Sequence, residues 1–292
     1  MLALSTLYTR FQYLPALVST FGTLDALIVA LIAHAAYTFG RTYLKKRQDF
    51  LIVPVAGVLF WVGLSPVLVI PLSFILGIAL RFSEGKGTQG ELSKHERFPL
   101  RPVLLIVGAA ALCLLAFFFL DRRLFDLSLL MFRIDLFAFG GGFASIPLML
   151  HEVIDVRHWI EPKTFMDGIA LGQVTPGPIV ITATFVGYAV HGFAGAFVAT
   201  ASIFLPSFLL VVSVAPFFHR LNSHRTFRKG ISGVLCSFVG LLASTSIKFG
   251  MALTWDLPGI AVAIAAMVAL MLRVNLLWIV VGATVFSLVF RL

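Results

Sequence analysis

Two short stretches combine small residues, hydrogen-bond donors and helix breakers in a pattern suited to holding an anion. The first is Phe139-Gly140-Gly141-Gly142-Phe143-Ala144-Ser145-Ile146-Pro147 and the second is Gly172-Gln173-Val174-Thr175-Pro176-Gly177-Pro178-Ile179. Three consecutive glycines let the backbone curl into a nest of N–H groups with no side-chain clash. Ser145 adds a hydroxyl donor. In the second stretch Pro176 and Pro178 remove two helical hydrogen bonds and free upstream carbonyls. Gln173 and Thr175 offer side-chain donors, and Gly177 allows the backbone to approach a ligand closely. The start of a half-helix supplies both N–H groups and partial positive charge. An anion is held there without a density of charge that would prevent its release. The competing reading is that Gly140 to Gly142 serve close helix packing alone.

Charged residues near these stretches are few. Arg133 and Asp135 lie in the run that leads to the glycines. Arg133 is placed to attract an anion and Asp135 to carry a coupling proton; alternatively they pair with one another near the membrane surface. Glu152 is either a proton carrier or a loop acid. Asp167 is either part of the same machinery or a carboxylate stabilising a helix start. Lys248 reads as a snorkelling residue. Asp25 and His34 are unusual so deep in an apolar run, and His34 reads as a packing histidine with its hydrogen bonds satisfied rather than a pH-sensing group.

The elements that must position these residues are membrane helices. The chain has 292 residues, of which 60% are hydrophobic and only 12% charged, against about 25% charged in a soluble domain. Its mean hydropathy is +1.02. Apolar runs recur along it, and the expectation is an all-α polytopic protein of about ten spans near 19–39, 50–64, 66–81, 103–120, 127–149, 165–190, 193–216, 230–250, 257–272 and 274–291. The pairs 50–64 with 66–81 and 257–272 with 274–291 are short for full crossings and read as hairpins or half-length helices. Both broken stretches then fall at membrane depth. Backbone broken there must be covered by protein or line a cavity, which makes it the best sequence pointer to a transport site. No cleavable signal peptide is expected from the first residues. Cys113 and Cys236 lie in apolar runs and read as buried free thiols.

The chain also repeats itself. Residues 31–40, LIAHAAYTFG, match residues 241–250, LLASTSIKFG, at an offset of 210. The hairpin after each matches in pattern with a slip of one residue. Arg41, Lys45, Lys46 and Arg47 follow the first copy, whereas Arg220, Arg225, Arg228 and Lys229 precede the second. The positive-inside rule then gives the two copies opposite orientations, an inverted repeat typical of secondary transporters. Moving the two broken stretches back by 210 residues places their counterparts before Met1, so one and a half repeats are expected. The loop at 151–163 runs against the charge rule, since Glu152, Asp155 and Glu161 outweigh Arg157 and Lys163.

Other classes find little support. The +9 net charge sits between apolar runs with few aromatics interleaved, which reads as topology signals rather than a nucleic-acid surface. His151-Glu152 lacks the second His of a zincin. There is no Gly-Lys-Ser or Gly-Lys-Thr loop for nucleotide and no Gly-x-Ser-x-Gly elbow. The seven His show no metal-ligand spacing. An enzyme is not expected, nor is a cofactor.

With those residues in view, the chain resembles the chromate ion transporter family. The resemblance rests on FGGGFASIPLMLHE at 139–152, on Trp159 and Phe165, and on GIALGQVTPGPIVITATFVGY at 168–188. It continues through Pro206-Ser207 and the 228–291 region, and more weakly through residues 1–82. It implies a multi-pass inner-membrane exporter of chromate that takes sulfate as a look-alike, both tetrahedral dianions. Residues 1–102 would be the closing part of a first half, 103–126 a linking helix and 127–292 a second half. Long members begin with a companion glycine-rich motif. Its absence here implies an upstream start, a split or truncated gene, or a second chain that supplies it, as a homodimer or companion half-transporter. The alternatives are a partner-dependent subunit inactive alone, or a carrier of sulfate or another oxyanion. The remaining partner is membrane lipid. The expected substrate site is Gly140, Gly141, Gly142, Ser145, Gln173, Thr175 and Gly177. Arg133, Asp135, Glu152 and Asp167 would provide coupling or electrostatics.

Overall fold

A computed structural model describes residues 1–11, 15–80, 100–138, 142–175, 177–214, 224–253 and 255–290. All regular structure among them is helical. The helices are α1 (Leu2–Phe11), α2 (Pro15–Tyr43), α3 (Asp49–Trp61), α4 (Pro66–Leu80), α5 (Leu100–Leu120), α6 (Arg122–Phe137) and α7 (Gly142–Leu150). They continue with α8 (Pro162–Val174), α9 (Thr182–Val214), α10 (Arg225–Ala252), α11 (Leu257–Met271) and α12 (Leu276–Phe290). Three segments are long and apolar enough to cross a membrane, Gly22–Tyr43, Ile179–Ser213 and Thr226–Ala252. Large side chains such as Leu68, Ile75, Leu105, Phe197, Leu257 and Trp278 are exposed. A soluble protein would not leave that much apolar surface in water, but lipid solvates it.

The expected spans are refined at several points. Helix α1 precedes them all. The run at 127–149 is two helices, α6 and α7, which end and begin at Phe137 and Gly142. The run at 165–190 is likewise divided, α8 ending at Val174 before a 3-10 turn at Ile179–Ile181 leads into α9. The boundary between 165–190 and 193–216 is a bend inside α9, made by His191 (φ −148°) and Gly192 (φ 59°). The supposed loop after residue 150 begins as a π-helical turn, His151–Val156. Cys236 is buried as expected, but Cys113 is exposed on α5.

The segments matched at an offset of 210 pack reciprocally. Hairpin α3–α4 lies on α10, hairpin α11–α12 lies on α2, and α2 and α10 lie on each other. Each hairpin therefore covers the long helix of the other copy. The one-residue slip expected from sequence is corrected by the turn geometry. In the first hairpin Gly63 N–H bonds to Phe60 O and Leu64 N–H to Leu59 O. In the second, Arg273 N–H bonds to Leu270 O and Val274 N–H to Ala269 O. Both are Schellman closures, and both place a left-handed residue at the same point, Gly63 (φ 86°) and Arg273 (φ 60°). Buried Ile52, Ala56 and Phe60 correspond to Val262, Ala266 and Leu270 with no slip. Apolar residues are so frequent here that neighbouring registers look alike in sequence, whereas the closure fixes one.

Small residues allow the close approaches. A Cβ added at Gly233 would strike the Ser73 carbonyl oxygen and lie 2.8 Å from Gly77 Cα. One added at Gly240 would meet the Val53 carbonyl oxygen at 2.5 Å. Backbone-to-backbone contact of this kind replaces hydrophobic driving force between helices in lipid. The position equivalent to the Gly233–Gly77 contact in the other copy is filled by Thr23 and Ser287, whose hydroxyls hydrogen-bond at 3.0 Å.

Candidate functional site

The two broken stretches meet. Gly142 opens α7, and a Cβ placed on it would lie 2.6 Å from Ile179 Cγ2, 3.0 Å from Val180 Cγ2 and 3.6 Å from Val180 N. The start of α7 is thus packed against the 3-10 turn that feeds α9. Both are helix N-termini, where partial positive charge gathers. From the third side comes the C-terminal end of α8, where a Cβ on Gly172 would lie 2.8 Å from Thr182 Oγ1. The glycines here make room for neighbouring chain, so close packing and a nest are both served by the same residue type.

Two of the expected donors are left without partners. Ser145 is fully buried, and its Oγ has no hydrogen bond. Gln173 Nε2 is buried and likewise unpaired. An orphaned buried polar group costs about 1–3 kcal/mol, a cost that a bound water or an acceptor-bearing ligand removes. Thr175 is occupied locally, its hydroxyl donating to Leu171 O at 2.9 Å. Gly177 is exposed with open space around it. Gly140, Gly141 and Pro176 lie outside the described residues.

The expected electrostatic residues fall into separate contacts. Arg133 does not pair with Asp135. It donates to Glu152 Oε1 at 3.0 Å, tying α6 to the π-helical turn beyond α7. Glu152 is buried and helical rather than a loop acid, and π turns of this sort recur at functional sites. Asp135 Oδ2 accepts from Ser207 N–H at 2.8 Å and Ser207 Oγ–H at 2.6 Å. Together with Asp121 to His191 (2.6 Å) and Ser128 to Ser202 (2.7 Å), this fastens α6 along α9. Asp167 lies beyond the first turn of α8 and does not cap it. It is buried and accepts a 2.6 Å hydrogen bond from Tyr8 Oη of α1. That partner was invisible in sequence, since it lies 159 residues away. Lys248 does more than snorkel: it donates to Asp155 at 3.0 Å, with His151 Nδ1 at 3.6 Å from the same oxygen.

Asp155 stands outside the spans, and its titration has a working sign. Its interaction with His151, opposed by partial burial and reinforced by Lys248, holds the carboxyl below its ordinary range. A lowered carboxylate contributes stability above its unfolded pKa, lost as pH falls through the folded value. Melting temperature of the purified protein should therefore fall with acidification, and Asp155→Asn should flatten part of that slope while lowering stability at neutral pH.

Comparison with known proteins decides the family. The chromate transporter family model matches residues 125–288, from within α6 through both breaks to α12. The chain belongs to the chromate transporter family. Like other members of the chromate transporter family, it is a transport protein rather than an enzyme. An uncharacterised transporter of Methanocaldococcus jannaschii is 37% identical over 282 residues, 96% of this chain and 70% of that protein. A chromate transport protein of Cupriavidus metallidurans is 36% identical over 156 residues, 52% of this chain and 39% of that protein. A probable chromate transport protein of Synechococcus elongatus is 30% identical over 181 residues, 62% and 44% of the two chains. The chain thus spans less than half the length of either relative named for chromate. No solved structure matches it.

Proposed function

We propose that this chain forms the oxyanion pathway of a secondary transporter and that its substrate is chromate, with sulfate as a look-alike. The observation that carries the reading is the junction of two helix starts at Gly142 and Val180, beside buried, unpaired Ser145 Oγ and Gln173 Nε2. Chromate brings acceptor oxygens and two negative charges, which N–H, O–H and amide donors satisfy. By their sequence, Gly140, Gly141, Thr175 and Gly177 would belong to the same substrate site. Arg133, Asp135, Glu152 and Asp167 would set the potential and carry coupling charge. Export across the inner membrane, driven by proton gradient or membrane potential, fits a chain with no nucleotide motif. The reciprocal packing of the two copies supports an inverted repeat.

A second reading is that the transporting unit includes more than this chain, through a second copy or a companion chain. The short coverage of the relatives named for chromate supports it. Chromate accumulation in chromate-sensitive cells tests the main reading. The wild-type chain should lower accumulation relative to empty cells. Losing a hydrogen bond to a charged ligand costs about 1.5–3 kcal/mol, so Ser145→Ala and Gln173→Leu should each weaken chromate handling by about tenfold or more. Unchanged accumulation in cells holding well-inserted wild-type protein would reject autonomous chromate export.

A further inference from the structure

Away from the helix junction, three helices bring a second polar cluster together inside the protein. Asp25 on α2 and Asp167 on α8 are 3% and 2% exposed. One oxygen of each, Oδ1, has no hydrogen-bond partner. Tyr8 on α1 donates to Asp167 Oδ2, and its ring meets Phe185 edge-on at 5.3 Å. Helices α2 and α8, which carry the two carboxylates, pack on one another; Asp25 feels the charge of Asp167, and Lys163 acts on both. Among the described residues, Tyr8 and Lys163 are the other ionisable groups that act on the pair. Two buried carboxylates near one cation, only one of them accepting a hydroxyl bond, cannot both remain charged cheaply. Two unpaired acid oxygens also lack the donors that ionised oxygens would demand. A proton supplies what is missing: it removes one charge and turns one acceptor into a donor.

We propose that Asp25 and Asp167 together form a binding site for a single proton, with Tyr8 orienting Asp167. The pair joins the first copy of the repeat, through α2, to α8, whose far end carries Gln173. Binding and release of that proton would then act on the helix that reaches the oxyanion junction. Its use in transport rests on the function proposed above; the site itself does not, and it can be tested without substrate.

The test is carbodiimide labelling of the purified full-length chain, read by mass spectrometry of its peptides. Carbodiimides react with protonated carboxyls in apolar surroundings. In neutral buffer the wild-type chain should be labelled on Asp25 or Asp167 at least tenfold more than on exposed Asp126, and labelling should fade as pH is raised. Asp25→Asn leaves Asp167 as a lone carboxylate with Tyr8 and Lys163, so labelling of Asp167 should drop by about tenfold. Labelling of neither residue in the wild type would overturn the proposal, as would labelling of Asp167 that Asp25→Asn leaves intact. Should Asp25→Asn not fold, the infrared spectrum of the wild type decides. A protonated-carboxyl band that disappears on alkaline titration supports the pair, and its absence refutes it. Wild-type protein that is labelled as expected yet does not export chromate would count against the transport reading alone.

Discussion

Gly142→Leu abolishes chromate handling while the protein still inserts and accumulates in the membrane. The added Cβ alone would lie 2.6 Å from Ile179 Cγ2, too close to stand without a shift, and a tight 3.0 Å from Val180 Cγ2. Leucine adds three further carbons. Overpacking of this kind costs about 1–3 kcal/mol, and the cheapest relief is to separate the start of α7 from the turn before α9. That separation parts the two sets of N–H donors. A displacement of one ångström in a positioned site can cost about a hundredfold, so transport should fall to the level of empty cells. The lesion is local, because α6 remains fastened to α9 by its three polar contacts. Gly142→Ala should show a smaller defect of the same kind. Wild-type accumulation values in cells with normal amounts of Gly142→Leu protein would contradict this.

Gly233→Leu should have the reverse signature, with little folded protein at all. Gly233 lies where α10 meets α4, and its neighbours there are the Ser73 carbonyl oxygen and Gly77 Cα and N. These are backbone atoms, so no rotamer change relieves the clash and the helices must part. The hairpin α3–α4 depends on α10 for cover, and native stability is only about 5–15 kcal/mol. Membrane yield and thermal stability in detergent should both collapse. Gly108→Leu on α5 is the matched control, since nothing lies within 4 Å of a Cβ added there. Equal yields of the two variants would show that the α4–α10 contact does not hold the fold.

The helical, membrane-bound character of the chain and the places where its helices break were legible because glycine and proline act locally. Phe137 and Gly142 bound one break, and Val174 and Ile179 the other, as the motifs require. The match of residues 31–40 with 241–250 was also legible, but the register of the hairpins that follow them was not. Apolar residues match equally well one position apart, and only the hydrogen bonds around Gly63 and Arg273 settle it. Partners distant in sequence were beyond reach for a different reason. Asp167 looks like a helix-start acid until α1 brings Tyr8 to it. Arg133 and Asp135 invite pairing by closeness in sequence, yet helical geometry points residues two apart in different directions, and each finds a partner elsewhere. Asp25 was conspicuous as an acid in an apolar run, but nothing local indicated which residue it faces.

The most direct measurement is equilibrium binding of radiolabelled chromate to the purified chain in detergent, wild type beside Gly142→Leu. Saturable binding that sulfate displaces and that folded Gly142→Leu lacks is the expected result. No saturable binding to folded wild-type protein, or equal binding to both, would contradict the claim that the junction of the two broken helices holds the oxyanion.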